Sequence, residues 1–298
     1  MGRRLHVRVP ATTANVGSGF DCIGIALNLY DDLDLELLGD PGDLRVAVTG
    51  EGEGSVPLDA RHLVVSSLQH GLNAWGAERP GLALTCHNRI PHSRGLGSSA
   101  AAIVAGLALA WGIARPGEPL DLPELTRISS RLEGHPDNAG AAVWGGAILA
   151  WFADDDVRLV NLAVPDALGT RVWVPDFEVA TAGARSVLPD EVARHDAVWQ
   201  AIASAALPLA LERRHDLLLK ATGDRLHQSY RASLMPESWE LMNRLRGAGV
   251  PAAISGAGPA VFAIGTADQL AVADATGHDG FVRHDLAIGP GVELSVTA

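Results

Sequence analysis

Residues 91–102 read Pro-His-Ser-Arg-Gly-Leu-Gly-Ser-Ser-Ala-Ala-Ala, two glycines and two serines at the mouth of a long apolar run. Glycine lets backbone approach a ligand closely, the first N–H groups of a helix lack intrahelical acceptors, and the helix dipole favours negative charge there. The pattern is that of an anion site, and a nucleotide phosphate is the obvious anion. Pro91, His92, Ser93, Arg94, Gly95, Leu96, Gly97, Ser98, Ser99, Ala100 and Ala101 would form it. Ser98 or Ser99 would cap a buried helix over 100–113. A capped core helix without a ligand would show the same residues. The ending is not that of a Walker loop, since the chain's single lysine is Lys220, and the Gly-x-Gly-x-x-Gly spacing is absent.

A second cluster is Glu133-Gly134-His135-Pro136-Asp137-Asn138, in which four groups able to bind metal, take a proton or hydrogen-bond a substrate lie within six residues. A helix ending at Gly134, a turn at Pro136 and an N-cap at Asp137 or Asn138 would use only one or two of them, so the cluster reads as functional. A third stretch, 10–21, reads Pro-Ala-Thr-Thr-Ala-Asn-Val-Gly-Ser-Gly-Phe-Asp. Its turn residues predict a loop in which Asn15 and Asp21 offer an amide and a carboxylate, although a plain connection fits equally well. Near the end, Ser255-Gly256-Ala257-Gly258-Pro259 would let backbone come close to a catalytic cleft.

These residues need elements to position them. The spacing predicts strands over 5–9, 23–29, 32–38, 44–49 and 81–87, helices over 61–75 and 122–132, and a hairpin of 145–152 with 157–162. Three carboxylates, Asp154-Asp155-Asp156, fall at that hairpin's tip and read as solvated. A second half begins near Arg171, with helices over 191–211, 215–221 and 237–246. Strands over 251–255, 260–264 and 281–287 and a helix over 268–275 then suggest a split βαβ unit, within an α+β layout overall.

At 298 residues, with a formal charge of −12, the chain has ample core and no general basic surface for nucleic acid or anionic lipid. An anionic ligand must be held by local devices. Cys22 and Cys86 make neither a disulfide framework nor a metal site. The most apolar run, 100–114, is too short to cross a bilayer, and no signal core precedes the first strand, so we expect a cytoplasmic protein with no membrane partner.

Three segments in order, 10–27, 91–101 and 254–262, resemble the three motifs of the GHMP small-molecule kinases, and the resemblance covers essentially the whole chain. Within that family, 13–21 and 133–138 are most similar to the members that act on L-homoserine. The resemblance implies ATP and Mg²⁺ as cofactors, phosphorylation of the L-homoserine hydroxyl, and often a homodimer. It implies a two-domain α+β fold, with an ATP-binding domain over 1–163 like the second domain of a ribosomal small-subunit protein and a ferredoxin-like domain over 164–298. By the same resemblance Asn15, Asp21, His135, Asn138, Thr181, Arg185, Arg231 and Gly256 bind substrate, Glu133, Asp137 and Asn138 are catalytic, and Ser99 with Glu133 holds the metal. A guanidinium fork suits the carboxylate of a zwitterion and Asp21 its ammonium. His62 and Val64 fall in the adenine-contacting segment, where family members often carry Asn at the position of His62. Rival readings are a mevalonate-type kinase of the same family and a non-catalytic nucleotide-binding protein.

Overall fold

The computed structural model describes residues 3–154 and 156–297, with the side chains of Thr181, Ala182 and Thr297 outside that set. The first layer is a seven-stranded sheet built on two long strands, β1 (Arg4–Asn15) and β2 (Gly19–Leu38). Alternation dictates their faces: Leu5, Val7 and Val9 of β1 and Leu33 and Leu35 of β2 are buried, while His6, Arg8 and Asp34 between them point outward. β3 (Leu44–Gly50) leads to α1 (Leu63–Ala74), and β4 (Gly81–Asn88) then inserts between β2 and β3. Next come α2 (Ser98–Ala114), α3 (Leu122–Glu133), α4 (Pro136–Trp144) and the hairpin of β5 (Ala147–Ala153) with β6 (Asp156–Leu162). The far half of β2 pairs with β4, and its near half, at Ile23–Ile25, pairs with β5.

A second, four-stranded sheet is formed by β7 (Gly169–Pro175), followed after helices α5 (Thr181–Ser186), α6 (Arg194–Glu212), α7 (Leu218–Ala221), α8 (Gln228–Arg231) and α9 (Pro236–Gly247) by β8 (Ala252–Ile254) and β9 (Val261–Gly265). α10 (Ala267–Ala275) and β10 (Phe281–His284) complete it. Its spatial order β10-β7-β9-β8 is that of a split βαβ unit, as the alternation of elements predicts. The chain then returns to the first sheet, where β11 (Glu293–Thr297) pairs antiparallel with β1. One core joins the layers, since Leu207 and Leu211 of α6 and Phe262 and Ile264 of β9 pack in the same cluster as α2 and the first sheet.

Four local expectations change. The segment 10–21 is mostly strand: β1 runs on to Asn15 because Thr12 and Thr13, polar as they are, are fully buried and pair with Ala26 and Ile25. The separate strands over 23–29 and 32–38 are one strand, and the register shift between Pro10 and Ala11 takes up the irregularity. Pro136 opens α4 instead of making a turn, because a proline at the first helical position gives up an N–H that has no partner there anyway. β11 lies beyond the last strand the alternation suggested. In the acidic hairpin Asp154 adopts a left-handed backbone, and Asp155 lies outside the described residues.

Candidate active site

The glycine-rich loop enters α2 with Gly97, not a serine, at the cap position. Ser98 and Ser99 occupy the first turn, where Ser99 is free to turn sideways and donate from Oγ to Glu133 Oε1 at 2.6 Å. The loop is pressed between β1 and the 255–258 turn. Gly95 and Gly97 both have left-handed backbone, at φ 75° and 69°. A Cβ on Gly95 would stand 2.2 Å from the Ser255 carbonyl oxygen, and one on Gly97 would stand 1.9 Å from Thr12 Oγ1. Both positions therefore require glycine.

Hydrogen bonds tie the motifs together. Thr12 N–H donates to the Leu96 carbonyl (3.0 Å), Gly256 N–H to Ala14 (3.1 Å), and Ser255 Oγ to Gly95 (2.6 Å). Asn15 spends its amide inside the site: Nδ2 donates to the Gly256 carbonyl (2.8 Å) and Oδ1 accepts from Asp21 N–H (3.0 Å). Asn15, Val16, Asp21 and Ser93 all carry left-handed φ without being glycine. Backbone of that kind persists only where its surroundings over-determine it, and here all four residues belong to the motif turn and the loop facing it.

Two clefts result. The first, about 140 Å³, is lined by Asn15 and Asp21, by Ser93 and Gly95 through Ser99, by Glu133, His135, Asp137 and Asn138, by Arg185 and Arg231, and by Gly256 with Ala257. The second, about 260 Å³, is lined by His62, Val64, His92 and Ala101 together with Val9, Leu33, Val56 and Pro57. Ser93, Ser98 and Ser99 line both, so the loop is the partition between a mainly apolar cleft and a polar one.

The polar cleft carries both signs of charge. Asp21 and Arg185 form an ion pair at 2.8 Å. Arg231 is 2 % exposed, and its burial lowers the affinity of the guanidinium for its proton. Asp137 is buried at the start of α4, where it accepts from Asn138 N–H at 2.7 Å; loss of hydration pushes its pKa up to about 6. The His135 ring lies beside it, Nδ1 3.7 Å from Asp137 Oδ1, beyond hydrogen-bond reach. Asn138 Oδ1 accepts from Thr12 Oγ1 at 2.8 Å, which anchors α4 to β1.

In the apolar cleft His62 is 6 % exposed and its Nδ1 has no hydrogen-bond partner; burial, and then the neighbouring His92, lower its pKa, so the ring is neutral. Asp31 also lines this cleft, accepting from Arg89 and Ile90 N–H at 2.6 and 2.9 Å, and desolvation raises its pKa to about 6. A folded-state pKa above the unfolded value near 3.8 makes Asp31 a stabilising proton holder below about pH 4, an effect lost as the pH rises through 6. Asp31→Asn keeps an oxygen for both N–H donors, so its unfolding free energy should fall less between pH 4 and 6 than that of the wild type, by ~2 kcal/mol in urea titrations. Asp137, raised likewise to about 6, contributes in the same direction.

Some expected residues lie elsewhere. Arg94 lines neither cleft: its guanidinium donates to the Pro175 and Asp176 carbonyls (3.0 and 2.6 Å) and pairs with Glu178 at 2.8 Å, which clamps the loop to the end of β7. With Pro91 it lines a separate outer groove beside Val174, Pro175 and Phe281, and Ala100 is packed in the core. Thr181 opens α5, and its side chain lies outside the described residues. Neither Asp137 nor Asn138 caps α4; His135 holds that position. Sequence reasoning missed Asp224 and His227, which support the cleft from behind and lie outside the three motif segments; Thr12 and Ser255 lie within those segments, but their side-chain partners appear only in the fold. Among the described residues no group of three or more His, Cys, Asp or Glu is placed to hold a metal, so an ion here would rest on the Ser99–Glu133 oxygen pair plus ligand and water oxygens.

Comparisons with known proteins agree with this geometry. Residues 62–146 match the family model for the GHMP kinases N terminal domain, and residues 206–275 match the GHMP kinases C terminal model. The chain is 52 % identical over 296 residues to the homoserine kinase of Cutibacterium acnes, covering 99 % of this chain and 100 % of that one. It is 46 % identical to the homoserine kinase of Corynebacterium glutamicum, over 89 % and 87 % of the two chains. The crystal structure of homoserine kinase from Cytophaga hutchinsonii superimposes with a TM-score of 0.83 at 28 % identity, over 98 % of this chain and 97 % of that one. The L. major mevalonate kinase, at 16 % identity and a TM-score of 0.67 over 95 % of each chain, shares the fold alone. With both domain models matched and relatives this similar along its whole length, the chain belongs to the GHMP kinase family and, within it, to the homoserine kinases.

Proposed function

We propose that the enzyme transfers the γ-phosphoryl group of ATP to the side-chain hydroxyl of L-homoserine, giving O-phospho-L-homoserine and ADP, a step toward threonine. The observation that carries this reading is the charge pattern of the polar cleft, where Asp21, Arg185 and Arg231 stand together beside the phosphate loop. A zwitterionic acceptor needs a carboxylate for its ammonium and guanidinium groups for its carboxylate; mevalonate and sugars need no ammonium partner. The apolar cleft with His62 and Val64 would take the adenine, and the backbone N–H groups from Gly95 to Ser99 the phosphates.

Catalysis of phosphoryl transfer rests on positioning and charge stabilisation. Ser99 and Glu133 would hold Mg²⁺, which when bound draws negative charge from the phosphate oxygens. The hydroxyl oxygen attacks phosphorus in line as the bond to the ADP oxygen breaks. Asp137, whose burial raises its proton affinity, is one group that would take the hydroxyl proton, and direct loss to a phosphate oxygen would need no protein base. The reading includes a cytoplasmic homodimer, which sedimentation would test. The deciding experiment measures ADP release with Mg-ATP, comparing L-homoserine with mevalonate, galactose and shikimate. Homoserine-dependent turnover is expected. Turnover with another alcohol instead would keep a kinase and overturn the acceptor pocket, and ATP binding with no turnover would favour the non-catalytic reading.

A further inference from the structure

Behind the polar cleft lies a fully buried imidazole that the reaction scheme above does not use. His227 is 0 % exposed and stacks on Phe20, ring centroids 4.7 Å apart and planes 15° from parallel. Its Nε2 stands 2.9 Å from the Gly17 carbonyl oxygen, which can only accept, so Nε2 carries the hydrogen. Nδ1 is then a lone-pair acceptor, and Arg231 Nη1, which can only donate, lies 3.2 Å from it. Arg231 Nε donates to the Ala184 carbonyl at 2.9 Å, one residue before Arg185, and the guanidinium sits over the same Phe20 ring at 5.5 Å. Nη1 also reaches the Gly256 carbonyl at 3.4 Å, whereas none of these protein bonds uses Nη2.

We propose that His227 is the positioning residue for the acceptor's carboxylate, a neutral ring pinned to the first motif through Nε2 that steers the Arg231 guanidinium through Nδ1. This rests on the reading of Arg231 as a carboxylate ligand. The ring's own position is fixed from the other side, because the preceding Asp224 carboxylate takes the N–H groups of Leu226, His227 and Gln228 at 2.9, 3.1 and 2.7 Å. A ring so held transmits the position of the Gly17 turn, which also carries Asn15 and Asp21, to the opposite wall of the cleft. The ammonium and carboxylate subsites are thereby kept at one separation, and that separation selects an α-amino acid.

The test uses two substitutions that each keep one nitrogen's role. His227→Asn places an amide oxygen near Nδ1 and retains the acceptor for Arg231. His227→Gln reaches the Nε2 position, retains the bond to Gly17 and loses that acceptor. Each is assayed with L-homoserine and with 3-aminopropan-1-ol, the same amino alcohol without its carboxylate. His227→Gln is expected to raise the KM for homoserine ~10-fold, with kcat and the KM for ATP nearly unchanged, and to shrink the preference for homoserine over the carboxylate-free alcohol by the same factor. His227→Asn should keep that preference within about threefold of the wild type. Equal losses in both variants, or an undiminished preference in His227→Gln, would reduce the ring to packing and overturn the proposal. If instead Arg231→Ala keeps the wild-type preference, the underlying reading of Arg231 fails. Should His227→Gln not fold, ¹⁵N shifts of the His227 ring in the unmodified protein decide: the neutral Nε2–H tautomer at neutral pH supports the proposal, and an Nδ1–H or doubly protonated ring overturns it.

Discussion

Glu133→Gln lowers kcat by about 10²-fold or more, while the KM for L-homoserine stays within about threefold. The two side chains have the same shape, and a glutamine oxygen can still accept from Ser99 Oγ, so the 2.6 Å contact can survive. What disappears is one negative charge at the mouth of the glycine-rich loop, the feature that a hard cation would need from this pair of oxygens. The loss should fall on the step in which charge moves onto the transferring oxygens, hence on kcat. Calorimetry of ATP binding with and without Mg²⁺ gives an independent readout, since the variant should lose most of the Mg²⁺-dependent gain in affinity. Unchanged turnover together with an unchanged Mg²⁺ effect would remove Glu133 from the metal role.

Gly97→Ala should be comparably damaging for a different reason. The left-handed backbone at this position costs a residue with a Cβ about 1 kcal/mol or more. The larger problem is steric, because the new methyl would stand 1.9 Å from Thr12 Oγ1, an atom already bonded to Asn138. Relief requires the loop to lift away from β1, which moves both the phosphate-facing N–H groups and the start of α4. Turnover should fall by at least about 10²-fold, and the melting temperature by several degrees. The cause can be isolated by adding Thr12→Ala: with the hydroxyl gone, the double variant should be more stable than Gly97→Ala alone, a non-additivity expected of atoms in direct collision. Additive losses would locate the damage in backbone strain alone.

How far the site can be read from the chain depends on the range of the physics behind each residue. Gly95, Gly97 and the serines after them are legible because glycine's conformational freedom and the orphan N–H groups of a helix start act over three or four residues. The 133–138 cluster is legible for the same reason, its polar residues exceeding what local capping requires. Arg94 illustrates the limit. It sits in the middle of the glycine-rich loop, yet its guanidinium is drawn to carbonyls more than 80 residues away, and nothing local tells the two directions apart. Thr12 and Thr13 mislead in the opposite sense, since threonine in a polar stretch reads as loop until Asn138 and Ser255 arrive to satisfy the buried hydroxyls.

The sequence by itself determined the glycine-rich loop at the start of α2, the acidic and histidine-bearing cluster beside it, the alternation that builds two sheets, and the family these motifs resemble. The tertiary structure alone decided that Asp21 faces Arg185, that β11 closes the first sheet, that Gly97 and not a serine caps α2, and that His227 backs Arg231. The division follows from chain separation: local backbone preferences are written in neighbouring residues, whereas the partner of a buried polar group is set by which distant segment the core brings against it.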